Sequence, residues 1–191
     1  MLRKQTWLGL AAAAIVMTVA PASWAQAANS NVGTVTINAT LTESLTVTIN
    51  SGAAVTIPLL ANTAANTTAT TTGLTTAWTL KPGRTSVAVW AYFTSATAAL
   101  VHQAIGNTTD IPSSAVKVSY NAGAYNALTV VSPFNAAASG LQIGPSIGIT
   151  GANKTSSRTD TLGYQIDTTV VPQLQADTYI GTLNIEAQAT P

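Results

Sequence analysis

The sequence predicts an all-β protein, an antiparallel β-sandwich of about ten strands behind an N-terminal export signal. Three observations carry this. Apolar residues recur with period two along the chain, and no window longer than a turn or two shows helical spacing. β-Branched and aromatic residues fill the alternating runs, which Gly, Pro and Asn punctuate. The N terminus reads "MLRK", then an apolar run over 8–20, then "ASWAQA" with small-residue cleavage points after Ala25 or Ala27. That run falls short of the roughly 20 residues that span a bilayer, so residues 1–27 read as a signal peptide and not as an anchor. Residues 28–191 are expected to form a single sandwich domain.

The first alternating stretch is "TVTINATLTESLTVTIN", residues 34–50. Val35, Ile37, Ala39, Leu41, Leu45, Val47 and Ile49 share one register, with Glu43 among them. At about 3.3 Å per residue a straight strand over 35–49 would overshoot a compact domain, and an unpaired buried carboxylate is costly. The run therefore reads as two segments, 35–41 and 45–49, joined at Thr42-Glu43-Ser44 by a bulge or a sheet-to-sheet crossing. The competing reading is a donor arm: a segment beginning at Asn29 that completes a neighbour's sheet, with Val35, Ile37, Ala39 and Leu41 as its inserting side chains.

Further strands are predicted at 55–60, 74–80, 86–94, 100–105, 115–120, 128–132, 141–149, 161–167 and 179–187. Residues 61–73 and 151–160 read as loops, and 135–140 as a small-residue turn. Pro82-Gly83 suggests a hairpin pairing Leu80 with Thr85 and Trp78 with Val87. One side of that hairpin collects Leu74, Trp78, Leu80, Val87, Val89, Ala91 and Phe93 as core; the other carries Trp90 and Tyr92 among Thr75, Ala77 and Thr79. This spacing of short strands suits an immunoglobulin-like or jelly-roll sandwich.

Charge excludes several functions. Beyond the signal peptide, Lys81, Arg84, Lys117, Lys154 and Arg158 face Glu43, Asp110, Asp160, Asp167, Asp177 and Glu186. No basic patch invites nucleic acid, and no cationic amphipathic helix or terminal apolar segment suggests membrane insertion of the mature chain. With no cysteine, disulfides, thiolate metal sites, a cysteine nucleophile and a lipidated cysteine are all ruled out.

Catalytic constellations are not legible. His102 is the one histidine, in "ALVHQAI", and no G-x-S-x-G surrounds a serine, so no triad is expected. No metal-ligand cluster appears; Asp110, Asp160 and Asp167 with loop carbonyls are the calcium alternative, and two facing carboxylates the glycosidase alternative. Lys154, Arg158 and Asp160 in 151–160 read as loop solvation, and the sequons at Asn38, Asn66, Asn107 and Asn153 as chance in an Asn- and Thr-rich chain. The expectation is a protein with no cofactor and no enzymatic activity.

The segment "VPQLQADTYIGTLNIEAQA", 171–189, places Tyr179, Gly181, Leu183, Ile185 and Ala187 on one face and Ile180, Thr182, Asn184, Glu186 and Gln188 on the other. It resembles the closing strand of exported bacterial β-sandwich proteins, the spore-coat-U-like and pilin-like fibre subunits, and "SRTDTLGYQIDTTV" looks like their penultimate strand. The resemblance implies an immunoglobulin-like architecture and a periplasmic, extracellular or cell-surface location. It departs from the pilin pattern in its lack of a disulfide and in the placement of Gly181 and the chain end.

Together these readings predict a secreted or cell-surface structural subunit of a fibre, coat or matrix, associating with itself or with other surface proteins through sheet edges or faces. The alternative is a carbohydrate- or cell-wall-binding module, with Trp90 and Tyr92, and also Tyr120 and Tyr125, as the glycan-stacking surface.

Overall fold

The computed structural model describes residues 30–191, with backbone only at 135–138. The expected signal peptide lies outside the described residues. Of these, residues 30–39 belong to a separate N-terminal unit, and residues 40–191 form the unit that holds all the described strands.

Thirteen strands follow in order: β1 (Ser44–Ser51), β2 (Asn66–Thr67), β3 (Thr72–Thr79), β4 (Ser86–Tyr92), β5 (Val101–His102), β6 (Val116–Tyr120), β7 (Tyr125–Ala127), β8 (Val130–Ser132), β9 (Asn135–Gln142), β10 (Ile147–Gly148), β11 (Thr155–Ile166), β12 (Tyr179–Ile180) and β13 (Asn184–Thr190). Short 3₁₀ turns occupy Ser113–Ala115 and Thr168–Val170. All pairings are antiparallel. The first sheet runs β1-β3-β11-β6-β7, with β2 added to the end of β11. In the second, β13 pairs along the whole of β4, so β9 and β10 share the other side of β4, and β8 lies beyond β9. A small third sheet joins β5 to β12. The predicted antiparallel sandwich is thus the fold.

Period two makes the core. From β3 come Leu74 and Trp78, from β4 Val87, Val89 and Ala91, from β6 Val118, and from β11 Leu162 and Tyr164, all buried between the sheets. The buried Trp78 indole donates to the Asn153 carbonyl at 2.9 Å. The outer face of the first sheet alternates into hydroxyls: Thr46, Thr48, Thr75, Thr79, Thr155, Ser157 and Thr159, with Thr75 Oγ1 3.3 Å from Thr159 Oγ1. Threonine thus supplies the β-branched shape without adding apolar surface to a solvent-facing sheet.

Several expectations need correction. No strand forms at 35–41; residues 30–43 carry no secondary structure. The 55–60 run is also without a strand, although Val55, Ile57 and Leu59 pack against the core. The predicted hairpin does not exist. Trp78 is flanked by Leu45 on β1 and Ser156 on β11, so both edges of β3 are taken and β4 crosses to the other sheet. Lys81 and Arg84 still close a turn, with Gly83 at φ 96°, but it bridges the sandwich, and Trp78 meets Val87 across the core and not beside it. As a result, Trp90 and Tyr92 lie on the outer face of the second sheet, while Thr75, Ala77 and Thr79 lie on the outer face of the first. The small-residue turn at 135–140 is most of β9, and at Gly140 close approach leaves no room for a side chain: a Cβ there would sit 3.2 Å from both the Ala91 carbonyl and Tyr92 Cβ. The charged loop at 151–160 becomes strand from Thr155 because β3 needs a partner along its full length. Its charges find partners, Arg158 Nε donating to the buried Asp160 at 2.7 Å and Lys154 Nζ to the Arg84 carbonyl at 2.7 Å.

Candidate functional site

Both sheets end on a free edge on the same side of the sandwich. Among the described residues, β1 pairs only with β3, and β13 pairs only with β4. The two edge strands approach one another across the sandwich. Between them runs a seam of inward-turned but incompletely covered apolar side chains: Leu45 and Val47 from β1, and Ile185, Ala187 and Ala189 from β13. Ile49, last in the β1 series, is 39% exposed. Their counterparts in the middle strands, Leu74 and Val89, are fully buried. The seam therefore combines partly wetted core with backbone N–H and C=O groups on two unpaired edges, a template for a further strand.

One end of the seam is bracketed. Glu43, immediately before β1, accepts from Arg84 Nε at 2.9 Å and from Arg84 NH2 at 3.3 Å, while Arg84 NH1 donates to the Ala189 carbonyl on β13 at 3.3 Å. The Glu43 carboxyl is held below the usual glutamate range, first by the Arg84 hydrogen bonds, with Lys81 adding to the effect against the opposing cost of burial. The carboxylate that interrupts the apolar run is thus paired, which answers the cost that predicted a break there.

The candidate donor residues precede Glu43 in the sequence. Val35, Ile37 and Leu41 are 87%, 86% and 83% exposed, and Ala39 is exposed with them. Trp90 is half-buried, whereas Tyr92 is only 9% exposed, and its hydroxyl donates to Glu186 Oε2 at 3.0 Å. Burial, and then the Glu186 carboxylate, push the Tyr92 hydroxyl up. Tyr120 and Tyr125 do not join them; Tyr120 lies under the Arg158 guanidinium and Tyr125 stands over Gly163.

The titratable residues are dispersed. His102 Nδ1 is 2.7 Å from Asp110, Lys117 donates to Asp167 at 2.9 Å, and Asp177 is capped by the amides of Gln103, Ala104 and Thr178 and by the Asn107 side chain. Each of the candidate calcium ligands Asp110, Asp160 and Asp167 therefore pairs with a different side chain, His102, Arg158 and Lys117 respectively. Among the described residues, no group of three His, Asp or Glu side chains is placed to hold a metal ion.

Two functional features were not legible in advance. Arg84 reads as a turn cation, because its partner lies 41 positions away. Phe134 carries no signal in the sequence, because it is the β8–β9 turn that brings it onto Tyr92, with ring centroids 6.0 Å apart. Alternation did place Glu186 opposite the buried face of β13.

No family model, curated protein or solved structure matches the chain.

Proposed function

We propose that the protein is an exported, non-enzymatic structural subunit that assembles with further copies of itself, the seam between β1 and β13 receiving residues 35–41 of a neighbouring chain. The observation that carries this reading is the coexistence in one chain of two free strand edges bordering a half-covered apolar seam and an unpaired segment with the pattern to extend them. Residues 30–42, "SNVGTVTINATLT", contain no charge and no proline, and alternate apolar with polar. Seven extended residues span about 23 Å, matching the seven-residue β13. Burying Val35, Ile37 and Leu41 would contribute about 1.5–3 kcal/mol each, before the cost of ordering the segment. The ladder along either edge would add main-chain hydrogen bonds. The exported location rests on the N-terminal sequence, and the surface role on the low charge and the resemblance of the closing strand.

The test is light scattering coupled to gel filtration, with electron microscopy, on the chain lacking residues 1–27. The reading expects particles larger than a monomer that collapse to folded monomer in Ile37→Asp. A strict monomer at high concentration, before any substitution, would refute it.

A further inference from the structure

The outer face of the second sheet carries an aromatic strip that the seam does not use. Trp90 and Tyr92 project from the same face of β4, and Phe134 lays its ring on Tyr92 with the planes 24° apart. Phe134 is 37% exposed, so the strip ends in open apolar surface. The strand register sets polar side chains along it: Glu186 and Gln142 lie directly either side of Trp90, Asn184 beside Tyr92, and Gln188 beside Ala88. Opposite Tyr92 on β9 stands Gly140, where any side chain would press on Tyr92 Cβ. The flank of the strip is therefore kept low.

Binding roles follow from the hydrogen bonds. Glu186 Oε2 is occupied by Tyr92, which fixes the carboxylate beside the indole, while Oε1 has no protein donor among the described residues. The Gln142 amide donates to the Gly144 carbonyl and Ser146 Oγ, which anchors that side chain and turns its carbonyl oxygen to other donors. An aromatic surface bordered by a fixed carboxylate and carboxamides suits a ligand that is apolar on its face and hydroxylated around its rim. A pyranose with equatorial hydroxyls has that form: its C–H groups lie on the ring face and its O–H groups in the ring plane. Glu186 stands directly beside Trp90 in the middle of the strip, and the buried centre of a protein–protein interface is depleted in charge, so a hydroxylated ligand suits this position better than a protein partner.

We propose that this face binds a neutral polysaccharide of β-linked equatorial pyranosides. One ring stacks on Trp90, the chain continues towards Phe134, and ring hydroxyls donate to Glu186 Oε1 and the Gln142 carbonyl. The site uses the outward side chains of β4 and β13, whereas the seam uses the inward side chains and free edge of β13, so the site remains open on a single copy.

The experiment uses the chain lacking residues 1–27, with cellohexaose and chitohexaose in solution by calorimetry, and insoluble cellulose and chitin by sedimentation. Binding to at least one of the two polymer types is expected. It should weaken about ten-fold or more in Trp90→Ala and measurably in Phe134→Ala and Glu186→Gln, with Ile37→Asp binding like the parent chain. Thermal melts report folding; should Trp90→Ala not fold, the exposed Phe134 and Glu186 variants decide. Failure of the parent chain to bind either polymer or either hexaose would overturn the proposal. So would unchanged sugar binding in a folded Trp90→Ala, or a Trp90→Ala effect confined to particle size, which would make the strip a contact between copies.

Discussion

Arg84 holds both strands that border the seam: its guanidinium meets Glu43 at the start of β1 through two hydrogen bonds and the Ala189 carbonyl of β13 through a third. A single side chain therefore fixes the spacing of the two free edges at one end, and leaves the rest of the seam to packing. The bidentate geometry requires arginine, since lysine offers no planar fork.

This bracket makes a pH prediction. Glu43 titrates lower in the folded chain than its ordinary value, so the carboxylate form is the one the fold favours. Its contribution is fully present above the ordinary glutamate range of about pH 4 to 5 and is lost as pH falls through the lowered folded value. Asp110, Asp167 and Asp177 are also lowered, so the comparison must be with Glu43→Gln. The melting-temperature advantage of the parent chain over Glu43→Gln should be positive at pH 7 and close on acidification. A difference independent of pH between 7 and 3 would contradict it.

Thr76 sits on the inner face of β3, fully buried, and its hydroxyl finds no hydrogen-bond partner among the described residues. Thr76→Val keeps the branched shape and removes the unsatisfied group, and should stabilise the domain by about 1 kcal/mol in denaturant unfolding. A loss of stability would mean that the hydroxyl has a use in the fold.

Gly181 meets the chain where "YIGT" crosses between β12 and β13, and a Cβ there would collide with the Ala99 carbonyl and with Leu100 Cδ2. Gly181→Ala should destabilise by more than about 1 kcal/mol, because the obstacle is backbone that cannot swing aside. Hydrogen exchange should show the loss first in the β5–β12 sheet. Wild-type stability in this variant would refute the close-approach account.

Much of the fold is legible in the sequence because burial on one face writes period two directly into the residues. Leu74, Trp78, Leu80, Val87, Val89, Ala91 and Phe93 were all identifiable as core, and all are buried. Partnership was not legible. The Trp78–Val87 apposition is a contact between sheets, and alternation alone gives the same pattern for a hairpin and for a crossing. The 135–140 stretch reads as a turn because the reason for Gly140, the nearness of Ala91 and Tyr92 on β4, lies elsewhere in the chain. The 35–41 run has the strongest strand pattern near the N terminus and no strand, since a pattern records which face wants burial and not whose sheet supplies it. The seam was invisible for the same reason: its apolar residues look like any other core until both neighbouring edges are seen to be free.

The most direct test of that account is the particle mass of the chain lacking residues 1–27, measured beside that of Ile37→Asp. The account predicts multimers in the first and a folded monomer with the same melting behaviour in the second. Monomers in both, or multimers of equal size in both, would contradict it.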